Sequence, residues 1–244
     1  MNLESKPGCA LCDYNNGDLD AHFQRLGLSG DLSKNVIYQT PHFVVKPDSF
    51  PVEPNGRHVL IHPRRHGVNF ASFGDYTDEV GRAVYAIERI WGEKVVIFEH
   101  GGSPTVVESS VQSIYHAHVH VVGGLEGIDI VQYMSDMLDG GLEPDGRVYE
   151  HGISEAPSFV FVDNLQGHYG EVPYLYIQQG SRAIYAQDPN NAMRSQITQR
   201  SMHQWFSETP ELNWKQFKDD QGYVALAAKR VLTLLDYCDN HSAY

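Results

Sequence analysis

The residues best placed by type and spacing to do chemistry lie in one short run, Gln112-Ser113-Ile114-Tyr115-His116-Ala117-His118-Val119-His120-Val121-Val122-Gly123-Gly124. His116, His118 and His120 stand at i, i+2 and i+4, with small or β-branched apolar residues between them. In a strand, alternate side chains point the same way, so the imidazoles share one face while Ala117, Val119 and Val121 pack behind. Read as a helix, the same residues scatter. One metal held by all three is excluded by length: a strand rises roughly 3.3 Å per residue, which sets His116 and His120 about 13 Å apart, against zinc–imidazole bonds of about 2.0–2.1 Å. Two of the row can share an ion. A structural row, each histidine hydrogen-bonded to backbone or solvent, is a second reading, and covalent chemistry is the third. A neutral imidazole is a nucleophile toward phosphorus, its reference pKa of about 6.5 keeps it mostly neutral at pH 7, and flanking imidazoles can fix its tautomer and donate to phosphate oxygens.

The run His116–Val122 resembles the His-φ-His-φ-His-φ-φ signature (φ apolar) of the histidine-triad superfamily, and the flanking Gln112–Tyr115 and Gly123-Gly124 are similar to its nucleoside phosphoramidase branch. The likeness extends over roughly residues 9–124 and includes Gly56–His66, similar to the family's "GH-hydrophobic-P-x-x-H" element with Arg57 interposed. It implies that His118 is the nucleophile, that His120 meets the phosphates and leaving group, and that Ser113 and Gln112 hydrogen-bond near the α-phosphate. His116 completes the catalytic set. Asp48 is the candidate ribose-binding acid. Where many relatives carry an asparagine, this chain has Glu99-His100-Gly101, which makes His100 a candidate fourth site histidine.

Cys9-Ala10-Leu11-Cys12 opens the chain in a loop flanked by Gly and Asn. Alone it leaves redox chemistry, zinc and coincidence open. The resemblance supplies the two missing ligands, the histidine that closes the "P-x-x-H" element and the first of the triad. It thereby implies structural zinc at Cys9, Cys12, His66 and His116, with no catalytic cofactor.

Composition narrows the classes. Of the 244 residues 41% are hydrophobic, enough for a packed core, and Lys+Arg 18 against Asp+Glu 31 gives a formal charge of −13. Broad nucleic-acid or anionic-membrane binding needs a basic surface, so neither is expected. Met1–Pro7 has no apolar leader segment, no apolar run reaches spanning length, and Cys9, Cys12 and Cys238 make no disulfide framework; the chain reads as cytoplasmic.

The elements that must hold the histidines follow from periodicity. Strands are expected over Val36–Tyr38, His42–Val45, His58–Pro63 and Val95–Gly101. A helix capped by Asp75 or Thr77 runs to Trp91 with Val80, Ala83, Val84, Ile87, Ile90 and Trp91 on one stripe. A short helix near Ile130–Leu138 precedes the Gly- and Pro-rich Gly140–Gly146. Strands at 158–162, 174–177 and 183–186 come next, then helices near 191–206 and through Tyr223–Cys238. The expected fold is α+β: a HIT-like antiparallel sheet with packed helices over 1–127, and a C-terminal α+β region over 128–244. That second region is either an extension or a degenerate second repeat. The expected activity is hydrolysis or transfer at an α-phosphate through a nucleotidyl-histidine, on a phosphoramidate, a dinucleoside polyphosphate or another nucleotide conjugate, in a monomer or a homodimer. Two alternatives remain: nucleotide binding without turnover, and a metal-dependent enzyme built on a His-x-His pair.

Overall fold

The computed structural model describes residues 6, 9–15, 36–103, 116–141, 151–155, 172–187, 197–206 and 220–241. Its frame is one antiparallel sheet in the order β1-β2-β3-β5-β4-β7-β8-β6. The strands are β1 Tyr38–Gln39, β2 Phe43–Pro47, β3 His58–Pro63, β4 Val96–Gly101, β5 Val119–Val122, β6 His151–Glu155, β7 Tyr174–Gln179 and β8 Arg182–Gln187. The helices are α1 Ala10–Asn15, α2 Thr77–Trp91, α3 Ile130–Asp136, α4 Ile197–Phe206 and α5 Gln221–His241. The α+β class and the antiparallel sheet are those read from the sequence.

Three details differ. Cys9–Cys12 does not sit in a plain loop, because Ala10–Asn15 is a short helix. α2 begins after Tyr76 with no side-chain cap bond, its entry made by the 3₁₀ turn Phe70–Tyr76. β6 had no sequence signal, and the strand expected at 158–162 lies outside the described residues. Strands from both halves of the chain join directly, since β4 pairs with β7 along its whole length, from Val96 opposite Gln179 to Gly101 opposite Tyr174.

Period-two alternation decides what each face carries. Phe43, Val45, Val59, Ile61, Ile97, Val119 and Val121 point to one face, where the buried stripe of α2 (Val80, Ala83, Val84, Ile87, Trp91) covers them. Each such side chain, fully buried, contributes about 1.5–3 kcal/mol of transfer free energy. α2 then stops where Gly92 takes φ +71° and returns its N–H to the Glu88 carbonyl. On the opposite face, Phe98, Leu175, Ile177 and Ile184 pack under α3 and α4, while Tyr14 of α1 and Val231 of α5 pack over Val44. Between these two patches that same face carries the histidines.

Candidate active site

Ala117 and His118 lead into β5, which becomes regular only at Val119. His116 therefore sits in a bend ahead of the strand, and the Ala117 N–H donates to the Gly67 carbonyl at 2.6 Å. Two backbone carbonyls assign the tautomers, because a carbonyl can only accept. His118 Nδ1 lies 2.7 Å from the His116 carbonyl, so Nδ1 carries the proton and Nε2 keeps its lone pair. His116 Nε2 lies 2.9 Å from the Pro63 carbonyl, so its lone pair is on Nδ1. Both rings are buried, and burial pushes both below the ordinary imidazole range, His116 to about 4. His118 is thus a neutral imidazole with a lone pair at Nε2, the form a nucleophile needs.

His120 stands opposite Phe98 on one side and Leu60 on the other. Its ring stacks on Phe98 at 4.4 Å and 9°. Its Nδ1 is 2.9 Å from His58 Nε2, and its Nε2 is 3.2 Å from the side-chain amide of Gln199. Asp48 Oδ2 lies 3.5 Å from both His58 Nε2 and His120 Nδ1, and Asp48 Oδ1 accepts the Phe50 N–H. Burial opposes ionisation of Asp48, yet the two imidazoles and the Phe50 N–H outweigh it and hold the carboxyl well below its usual range. Burial lowers His58, and lowers His120 to about 3, so both rings rest neutral.

Asp48, His58 and His120 bring three donor atoms close enough to suggest a metal. One backbone bond argues otherwise. The Val52 N–H donates to His58 Nδ1 at 3.2 Å, which leaves the proton of the neutral ring on Nε2, the atom a metal would need. The group is a hydrogen-bond cluster.

The cysteines fit a metal better. Cys9 Sγ is 3.3 Å from His116 Nδ1, while Cys12 Sγ is 3.4 Å from His66 Nδ1 and 3.5 Å from His116 Nδ1. All four donor atoms lie within 4.8 Å of one another. Tetrahedral zinc with bonds of about 2.0–2.3 Å separates its ligand atoms by roughly 3.5 Å. His116 already points its lone pair at the sulfurs, because its proton is held by Pro63. Without a cation beside it the Cys9 thiol is pushed up to about 11, chiefly by burial.

The remaining candidates fall as follows. His100 is buried on the histidine face with Nε2 3.1 Å from Thr198 Oγ1, joining β4 to α4. Its neighbour Glu99 points to the other face, where it accepts the Tyr174 hydroxyl at 2.5 Å and the Phe70 N–H at 2.7 Å. Burial raises Glu99 to about 8. Ser113 and Gln112 lie outside the described residues. Sequence reasoning passed over His58, His62, Lys46 and Gln199. The first two were visible as the alternation His58-x-Leu60-x-His62 on a strand next to the triad strand. His62 is fully buried, with no hydrogen-bond partner for Nε2 among the described residues. Lys46 is also fully buried on this face, its ammonium 5.0 Å over the Tyr14 ring. Gln199 carried no local signal.

The site is a row of neutral, tautomer-assigned imidazoles on an antiparallel sheet, with a cysteine–histidine cluster at one end. Such an arrangement can supply imidazole chemistry. Comparison with known proteins shows what the chain is similar to. Residues 29–127 match the HIT domain model. An uncharacterized HIT-like protein of Chlamydia muridarum is 25% identical over 115 residues, 44% of this chain and 84% of that protein. A second, from Chlamydia trachomatis, is 28% identical over 109 residues, 42% of this chain and 90% of its own length. Among solved structures, a HIT family hydrolase from Clostridium thermocellum aligns with a TM-score of 0.35 at 18% identity, over 50% of this chain and 96% of that one. What the comparisons show is a similarity to the HIT domain, confined in the family model to residues 29–127.

Proposed function

We propose that this protein is an enzyme that cleaves or transfers a nucleotide at its α-phosphate, with His118 Nε2 as the nucleophile. The observation that carries this reading is the 2.7 Å bond from His118 Nδ1 to the His116 carbonyl, which places the lone pair on Nε2 in a buried neutral ring. His118 Nε2 attacks the α-phosphorus and the bond to the leaving group breaks. The departing atom takes the electron pair and a proton from His120 Nε2. The substrate's anionic phosphate and the nearby Asp48 carboxylate together favour the extra proton on His120, so the ring ends this step neutral. Water, giving a proton to His120, then displaces the nucleotide from His118; another acceptor in place of water makes the reaction a transfer. Nucleoside phosphoramidates, dinucleoside polyphosphates and other nucleotide conjugates all present such a phosphorus.

Cys9, Cys12, His66 and His116 would hold a structural zinc ion. The ion would keep both thiols deprotonated and tie the segment that opens α1 to the residues that lead into β5, His118 among them. His116 has Nδ1 turned to the two sulfurs, which supports a structural rather than a catalytic metal.

The test is intact-protein mass after incubation with an adenosine phosphoramidate, while AMP release is followed, on wild type and His118→Ala. The expected result is release by wild type with an adduct of one nucleotidyl group, and a loss of roughly a thousandfold or more in the variant. Release by His118→Ala at the wild-type rate would remove the nucleophile from this reading. Bound nucleotide without release by either protein would leave a binding function.

A further inference from the structure

The first turn of α4 places two polar side chains from the C-terminal half against the histidine row. Thr198 Oγ1 meets His100, and Gln199 meets His120 Nε2. The placement is anchored, because Ile197 and Met202 of α4 are buried in one cluster with Phe98, Leu175 and Ile177, and Phe98 is the ring on which His120 stacks.

The tautomers say what Gln199 does there. The Val52 N–H donates to His58 Nδ1, so His58 carries its proton on Nε2 and gives it to His120 Nδ1 at 2.9 Å. His120 must then carry its own proton on Nε2, facing Gln199. As placed, the Gln199 amide nitrogen faces His120 Nε2 and its Oε1 has no hydrogen-bond partner among the described residues; a half-turn of the terminal bond brings the oxygen, the one atom of the amide that can accept, to this proton. With the amide in that orientation, Gln199 holds the proton that the leaving group takes in the reaction proposed above. A departing atom that receives it must come to the same place, beside Gln199 and Thr198.

We propose that Gln199, with Thr198 beside it, forms the leaving-group subsite of the triad and serves amine or alcohol leaving groups, which depart only with a proton. The side chains bonded to His120 and His100 on this side are the amide of Gln199 and the hydroxyl of Thr198, neutral groups that can hydrogen-bond a departing amine or alcohol. In the reaction the phosphorus–nitrogen or phosphorus–oxygen bond breaks, its electron pair stays on the departing atom, and the His120 Nε2 proton moves to that atom. Gln199 acts through His120 by aiming that proton. It is a positioning residue, and its amide also contacts the departing group. The proposal rests on His118 being the nucleophile.

The test compares two substrates on wild type, Gln199→Ala and Gln199→Glu. One is an adenosine phosphoramidate, whose amine must be protonated to leave. The other is the p-nitrophenyl ester of AMP, whose phenolate leaves without a proton. Gln199→Ala should lose roughly tenfold to a hundredfold in kcat/KM on the phosphoramidate and less than about threefold on the ester. Gln199→Glu, which keeps an acceptor oxygen, should recover much of the loss. The ester is the control for folding, since a damaged site fails on both substrates. Equal losses on the two substrates, or none on either, would overturn the subsite. If wild type turns over neither substrate and His118 acquires no nucleotidyl group from the ester, the nucleophile reading itself fails and the subsite falls with it. Turnover of both, with a His118 adduct but no difference in Gln199→Ala, refutes the subsite alone.

Discussion

Glu99 and His100 are consecutive on β4, both buried, and point to opposite faces of the sheet, so exchanging each for Gln should change the pH dependence of stability in opposite directions. Burial lowers His100 well below the ordinary imidazole range. The folded ring stays neutral while the unfolded one binds a proton near its reference pKa of about 6.5. Its contribution is therefore complete above that pH and is lost as pH falls below it. That is a loss which His100→Gln should not suffer. Burial raises Glu99 from 4.5 to about 8, so the folded state holds a proton that the unfolded state has released. Its contribution is present at low pH and is lost as pH rises from 4.5 toward 8. Between about pH 5.5 and about pH 7.5 the loss is about 2–3 kcal/mol. Glu99→Gln should remove it, because a carboxamide can still accept the Phe70 N–H and donate to the Tyr174 oxygen. The assay is urea unfolding at a series of pH values, with the slope m checked for constancy. Relative to wild type, His100→Gln should gain stability on the acid side and Glu99→Gln on the alkaline side. Parallel curves for all three proteins, or two variants that shift in the same direction, would refute the reasoning from burial.

The other expectations are read more simply. Metal analysis after native purification should find about one zinc per chain, and chelation should lower the melting temperature. Cys12→Ser should do the same, because Cys12 meets both His66 and His116. A metal-free protein with an unchanged melt would remove the site. Gly56 has φ +82°, and a Cβ there would run into the Arg230 carbonyl of α5. Gly56→Ala should cost more than about 2 kcal/mol in thermal unfolding, and an unchanged melt would show that α5 does not press on this turn.

The α2 stripe, the strands β2, β3 and β4 and the part of the triad run that bears His120 could be read directly, because period-two and period-3.6 patterns are local properties of the chain; His116 and His118, expected on the same strand, lie ahead of it. Cys9 and Cys12 were visible as a pair, but their partners are 54 and 107 residues away for the closest contacts. Resemblance named those partners before geometry did. The entry to α2 was misread because a short 3₁₀ turn, rather than a capping side chain, starts the helix. The short helix at Ala10–Asn15 and the strand β6 had too few residues for a periodic signal.

What the sequence determined by itself was the set of chemical groups and, through period-two alternation, the face that His120 would occupy with the valines behind it. Tautomers, by contrast, depend on single carbonyls and N–H groups brought in from other elements. Pro63 assigns the proton of His116, Val52 assigns that of His58, and through His58 the proton of His120. Gln199 reaches His120 across 79 residues because β7 pairs with β4 and α4 packs on the resulting face. A hydrogen bond is a matter of a few tenths of an ångström between groups distant in sequence. No local pattern encodes that distance, and only the assembled sheet and its helices decide it.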